Sequence, residues 1–176
     1  MKTGAMRYTI FETRWGYFGL ATVGDAVWRT VLPAAHLTQV RRALLADLDD
    51  VPFEKGLMPA LQRRIMAYFE GENVDFSTDP TVNLDQCGAF DRAVLAACRQ
   101  IGTGWKLTYG QLAAKIGKPG AARAVGSALA RNPVPLIVPC HRILRSDGAL
   151  GGFSAPGGVA VKKRMLLHEE TLRQGV

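Results

Sequence analysis

The chain has 176 residues, 48% of them apolar and 21% charged, enough for one sizeable packed domain or two small ones. It contains no run of about 18 uninterrupted apolar residues, which argues against a membrane span. Its opening residues, Met1-Lys2-Thr3-Gly4-Ala5-Met6, lack the apolar stretch of a secretory leader. Three cysteines, Cys87, Cys98 and Cys140, make neither an even disulfide framework nor a zinc-ligand spacing. A reduced, cytoplasmic setting without a bound metal is therefore expected.

The net charge of +7 is unevenly spread. Residues 1–84 carry 9 Lys and Arg against 10 Asp and Glu, a net of −1, whereas residues 85–176 carry 13 against 5, a net of +8. This shift divides the chain into two expected domains, 1–84 and 85–176. A basic second half fits a polyanionic partner and equally fits a solvated basic surface.

In the first half, residues 7–11, 17–23 and 26–32 read as three short strands of an antiparallel meander, separated by Trp15-Gly16 and Gly24-Asp25 and stopped by Pro33. Leu37, Val40, Leu44 and Leu48 recur at helical spacing. Leu57, Leu61, Ile65 and Tyr68 do so again, with Gly71 as the stop. Residues 72–80 are polar and read as a linker. His36 has no local partner and reads as a surface residue. Nothing in this half proposes chemistry.

In the second half, Phe90, Val94, Ala97, Cys98 and Ile101 share one face of a helix expected to end at Gly102. Thr108-Tyr109-Gly110-Gln111 matches a capping box opening a second helix, with Leu112 and Ile116 buried and Gly117 as the stop. After Lys118-Pro119 a third helix is expected over 120–131. Two helices joined by a tight turn fit a helix-turn-helix and fit any helical hairpin. The third helix places Ala121, Val125, Ala128 and Leu129 inward. Its other face holds Gly120, Arg123, Ser127, Ala130 and Arg131, nearly bare apart from arginine. Small residues permit close backbone approach, as to nucleic acid, though an alanine-rich helix is also simply a good helix.

Asn132-Pro133-Val134-Pro135 ends that helix. Residues 136–138 read as a buried strand leading to Cys140-His141-Arg142, followed by a hairpin through Arg145-Ser146-Asp147-Gly148 and a glycine-rich loop over 151–158. A last helix from about Val159 carries Val161, Met165, His168, Glu169 and Leu172 on one stripe. A Cys beside His and Arg is chemically loaded, because both neighbours favour the thiolate. Such a pair is also compatible with a buried structural thiol. Glu169 on an apolar stripe needs a partner if buried, and His141 suits it.

Taken together, these motifs resemble the O6-alkylguanine-DNA alkyltransferases. The resemblance runs from about Phe90 to Glu169. It rests on Thr108-Tyr109-Gly110-Gln111-Leu112-Ala113, Gly120-Ala121-Ala122-Arg123-Ala124-Val125-Gly126, Asn132-Pro133-Val134-Pro135, Val138-Pro139-Cys140-His141-Arg142 and Leu166-Leu167-His168-Glu169. It implies an N-terminal α/β domain, a small antiparallel sheet plus helices, followed by a mainly α winged helix-turn-helix domain. It further implies direct repair of double-stranded DNA by a monomer that binds the minor groove and takes the alkyl group of flipped-out O6-alkylguanine, and O4-alkylthymine, onto Cys140 in a single turnover. His141 would deprotonate Cys140 through a water and Glu169 would orient it, while Tyr109 would turn the nucleotide out. Arg123 would fill the vacated stack, on a DNA-binding face that includes Thr108, Ala122, Gly126 and Ser127. Asn132 would be a hinge, and Leu129, Pro135, Phe153 and Ser154 would line the pocket. No cofactor is implied. Phe153 replaces a tyrosine common in the family, and Ala155-Pro156 lengthen the pocket loop. Two other readings use the same residues: recognition of alkylated bases without transfer, and a Cys-His hydrolase unrelated to DNA.

Overall fold

The computed structural model describes residues 4–174; residues 1–3 and 175–176, inside the expected domain limits, lie outside the described part. The chain divides into two compact units. The first runs to Val74 and resumes over Thr78–Leu84; the second takes Asp75–Ser77 and the chain from Asp85 onward. The expected boundary after residue 84 therefore needs refining. Phe76, within the apparently polar linker, is buried, and Arg99 Nε donates to its carbonyl at 2.8 Å.

In the first unit, β1 (Met6–Thr13), β2 (Gly16–Val23) and β3 (Ala26–Ala34) form an antiparallel sheet in that order. Helix α1 (Leu37–Leu44) and helix α2 (Pro59–Glu70) follow. Side chains alternate across a strand, so β2 is buried on both faces. Phe18 meets Phe69 of α2 with ring centroids 6.2 Å apart. The opposite face receives Val40 and Leu44 of α1 around Tyr8, Ala21 and Val31. Gly19 permits that approach, since a Cβ there would lie 2.8 Å from Val40 Cγ1. The meander is as expected, but Gly16 opens β2, and Pro33 lies inside β3 near its end. A proline is tolerated there because it needs to donate no ladder hydrogen bond. Leu48 falls beyond α1, and Gly71 caps α2 at φ 106° as expected.

The second unit is mainly helical: α3 (Ala89–Arg99), α4 (Tyr109–Lys115), α5 (Ala122–Ala130) and α6 (Gly158–Gln174), with the two-residue strands β4 (Leu107–Thr108) and β5 (Ile143–Leu144) paired in parallel. Helix α3 stops three residues short of Gly102, and α5 is shorter at both ends than the expected 120–131. The capping box forms: Gln111 N donates to Thr108 Oγ1 at 3.1 Å, and Thr108 N donates to Gln111 Oε1 at 2.7 Å. Val94, Leu95, Cys98, Leu112, Ala113, Val125 and Ala128 make the core between α3, α4 and α5.

Residues 136–138 form no strand. Leu136 adopts φ 78°, Val138 N donates to Val134 O at 2.9 Å, and the chain folds tightly on itself. Buried apolar runs suit strand and compact turn alike, and Pro133, Pro135 and Pro139 remove ladder donors. The expected hairpin is also absent: β5 pairs with β4, while Arg145 N donates to Ala149 O to close the turn alone. No helix among the described residues is long and apolar enough to cross a membrane.

Replacing Thr108 by Ala removes the cap that starts α4. The expected cost is about 1 kcal/mol, read as a Tm lower by roughly 2–4 °C in a chain of this size. An unchanged Tm would show the cap to be energetically idle.

Candidate active site

Cys140, His141 and Arg142 are the three residues of a 3₁₀ turn. Side chains in such a turn diverge by about 120°, so one short segment serves a cavity and the interior at once. The turn is set from upstream. Pro139, at φ −82° and ψ 62°, makes an inverse γ-turn in which Cys140 N donates to Val138 O at 2.9 Å. Asn132, just past α5, donates through Nδ2 to Val138 O at 2.9 Å and to Cys140 Sγ at 3.2 Å, while its Oδ1 accepts from Val134 N at 3.0 Å. Asn132 is thus a strap across the bend that aims the sulfur.

His141 and Arg142 turn inward to Glu169 of α6, only 1% exposed. Glu169 Oε1 lies 2.7 Å from His141 Nε2 and accepts from Arg142 Nη2 at 2.8 Å. Its Oε2 accepts from Arg142 Nε at 2.9 Å and from Gly104 N at 3.2 Å. Arg142 is itself held by the carbonyl of Ile101 and by Thr103 Oγ1. Burial alone would push the Glu169 carboxyl up, but the contacts with His141 and Arg142 outweigh it and hold the group well below the usual carboxylate range. Burial lowers the pKa of His141 more than Glu169 raises it, so the ring is neutral near pH 7. An ionised carboxylate can only accept. The single ring proton therefore lies on Nε2, and Nδ1 keeps its lone pair. Nδ1 is buried with no hydrogen-bond partner among the described residues.

The Cys140 thiol opens onto a cavity of about 420 Å³. Tyr109, Gly126, Leu129 and Ala130 form one wall, and Gly152, Phe153 and Ser154 the other. Burial raises the pKa of Cys140, opposed by the Asn132 amide and then by Lys162. Burial, then the sulfur, raises that of Tyr109, keeping its phenol protonated. Gly151 packs on Tyr109 at φ 70°, where a Cβ would lie 2.7 Å from the phenol oxygen. Ser154 Oγ donates to Ala130 O at 2.8 Å, pinning the loop to the end of α5.

The structure brings together Cys140, His141, Glu169, Tyr109, Asn132, Leu129, Phe153 and Ser154. It does not place Pro135 on the cavity wall; Pro135 instead bridges to Val138 within the bend. Arg123, Ala122 and Gly126 border a second hollow beside the first. Ser127 is exposed and donates to Arg123 O, and Thr108 serves as the α4 cap. Arg131, on the same expected face, is engaged by Asp91 through two bonds of 2.8 and 2.9 Å.

Sequence reasoning missed Lys162, which is fully buried. Its Nζ donates to Ile143 O at 2.6 Å and lies 5.7 Å from the centre of the Tyr109 ring. The spacing of 162, 165 and 169 on one helix face was the available signal, masked by the run Lys162-Lys163-Arg164. The anchoring role of Arg142 was likewise invisible, because its partners at 101, 103 and 169 are far away in the chain.

A buried thiol opening onto a cavity, with a neutral imidazole on the following residue and an anchored carboxylate behind that ring, defines a cysteine-nucleophile site on a helical unit. The family profile described as 6-O-methylguanine DNA methyltransferase, DNA binding domain, matches residues 89–171. The methylated-DNA–protein-cysteine methyltransferase of Mycobacterium leprae is 41% identical over 118 residues, 66% of this chain and 67% of that protein. The one from Methanothermobacter thermautotrophicus is 40% identical over 111 residues, 63% of this chain and 60% of that protein. Among solved structures, Mycobacterium tuberculosis OGT in complex with DNA superposes with a TM-score of 0.78 at 30% identity, covering 94% of each chain. The chain belongs to the methylated-DNA–protein-cysteine methyltransferase family. It spans between 40% and 60% of the length of several curated relatives that it matches.

Removing Arg142 leaves a buried carboxylate without its main cation. Arg142→Ala should cost about 3–5 kcal/mol, measured by denaturant unfolding; a loss below about 1 kcal/mol would contradict the anchoring role. In the wild type the Glu169 contribution is complete above the ordinary carboxylate pKa, about 4.3, and fades as pH falls through the depressed folded value. Glu169→Gln should therefore flatten the acid limb of stability against pH.

Lys162→Met should raise the pKa of Cys140, because it removes a cation that favours the thiolate. An ultraviolet thiolate titration reads this directly, and an unmoved or lowered pKa would refute it.

Proposed function

We propose that this protein repairs DNA directly, moving the alkyl group of O6-alkylguanine irreversibly onto Cys140. The observation that carries this reading is the His141 ring, one residue along from the thiol: Nε2 is committed to Glu169, while buried Nδ1 keeps a lone pair able to accept a proton. Burial keeps Cys140 protonated until a base acts, and a desolvated sulfur anion is a strong nucleophile towards saturated carbon. His141 takes the thiol proton through a water. The Sγ–C bond forms as the C–O6 bond breaks, the electron pair leaves with the guanine, and the guanine regains one proton. The thioether is stable, so each molecule acts once. O4-alkylthymine, which presents the same alkyl–oxygen bond, is a second substrate.

The nucleotide reaches the sulfur only by leaving the duplex stack. In this reading α4, α5 and the β4–β5 pair act as a winged helix-turn-helix, with α5 in the minor groove. Its exposed small residues, with Arg123 on the same face, support this reading. Arg123 fills the gap in the stack, and Ala122, Gly126, Ser127 and Thr108 approach the backbone. Tyr109, kept protonated by burial, donates a hydrogen bond to the flipped base. The Mycobacterium tuberculosis relative was solved in complex with DNA, which supports a DNA partner here. The +8 charge of residues 85–176 supports it too. The protein acts as a monomer in the cytoplasm, where its three free thiols stay reduced, and its own residues supply all the chemistry.

Incubation with duplex DNA containing O6-methylguanine should add the mass of one methyl group to the intact protein. Cys140→Ser should abolish the gain. Folded wild-type protein that binds the duplex without gaining mass would overturn transfer in favour of recognition alone.

A further inference from the structure

The second hollow, of about 450 Å³, shares Tyr109, Gly126 and Gly152 with the Cys140 cavity, so the two open side by side. Its remaining wall has a distinct chemistry. Arg123 reaches it from α5, and Arg145 and Ser146 from the turn after β5. No carboxylate lines it, and Gly110 and Gly152 leave backbone open to close approach. With Arg123 committed to the base stack, the Arg145 guanidinium, a hydroxyl and bare backbone around an open hollow suit a phosphodiester.

Arg145 is on a well-built turn. Its N donates to Ala149 O at 2.9 Å, and Gly148 N donates to Arg145 O at 3.0 Å. Asp147 lies just outside the hollow. Its Oδ2 is 3.2 Å from Arg145 Nη2, and its Oδ1 accepts from Ala149 N at 3.0 Å. Both side chains are exposed. An exposed pair of this kind is weak and exchanges readily for a better anion, and a phosphate offers guanidinium a bidentate partner.

We infer that this hollow seats the phosphodiester flanking the nucleotide held in the Cys140 cavity, with Arg145 as its clamp and Asp147 as a competing anion that Arg145 leaves when DNA binds. The inference rests on the DNA-repair reading above and adds a positioning residue to it. A nucleotide in the first cavity carries its backbone past Tyr109 and Gly126, the shared wall, and thus past Arg145. Asp147 holds the guanidinium aimed while DNA is absent, and it lowers affinity by the same competition.

The test is duplex binding by fluorescence anisotropy over a salt series. Arg145→Ala should weaken binding roughly threefold to tenfold and reduce the slope of log affinity against log salt by about 1. Arg145→Lys should restore the slope, because it restores the charge. Asp147→Asn keeps the acceptor for Ala149 N but removes the competing charge; it should tighten binding when Arg145 is present and do nothing when Arg145 is Ala. An Arg145→Ala protein with wild-type affinity and slope overturns the clamp. An Asp147→Asn effect that persists without Arg145 overturns the competition. Methyl uptake by the wild type reads the repair proposal separately, so either idea can fail while the other stands.

Discussion

A single buried carboxylate, Glu169, constrains the second unit. A charge in the interior must be compensated or it destabilises the fold. Here four donated bonds from Arg142, His141 and Gly104 converge on it. Satisfying Glu169 ties together α6, the 101–104 segment and the 3₁₀ turn that carries Cys140. The same network sets the histidine tautomer. Stability and chemistry therefore draw on one set of bonds, with Arg142 supplying the cation that lets His141 stay neutral.

Around that anchor, the backbone is shaped to expose one sulfur atom. Leu136 at φ 78° is costly for a branched residue, of order 1–3 kcal/mol, and is kept there by its burial and that of Ile137 and Val138. Asn132 and Pro139 then close the bend. The consequence is a thiol that is mostly shielded from water but faces the cavity between α5 and the 151–154 loop. Shielding raises its pKa, while Asn132 and Lys162 pull the other way. The thiol is thus quiet until a base acts on it, which suits the single transfer proposed for it.

Periodicity and capping carried much of the fold. The meander, the helices and the Thr108 cap follow from alternation, from helical spacing and from a local hydrogen-bond pattern, all of which act within a few residues. Expectation and structure part at 136–138. An apolar run signals burial without specifying conformation, and the hydrogen bonds that decide it come from Asn132 and Val134. Ile143 and Leu144 suggested a hairpin because the following turn is a good one; their actual partners, Leu107 and Thr108, lie about 36 residues away. Lys162 was hidden for a similar reason. In a run of three basic residues nothing local marks the one that faces inward.

The sequence by itself determined which reactive groups exist and in what order: a Cys-His-Arg run, a small-residue helix bearing Arg123, and a glutamate on an apolar stripe. These are properties of composition and short-range spacing. Only the tertiary structure decided which of them touch. It showed that Arg142 serves Glu169 rather than Cys140, that Asn132 holds the sulfur, that Lys162 is buried behind Tyr109, and that Pro135 is off the cavity wall. Most of those outcomes depend on contacts between residues 6 to 53 positions apart. Such contacts form when buried polar groups find partners as the helices pack, and the spacing of residues along a chain does not encode that pairing.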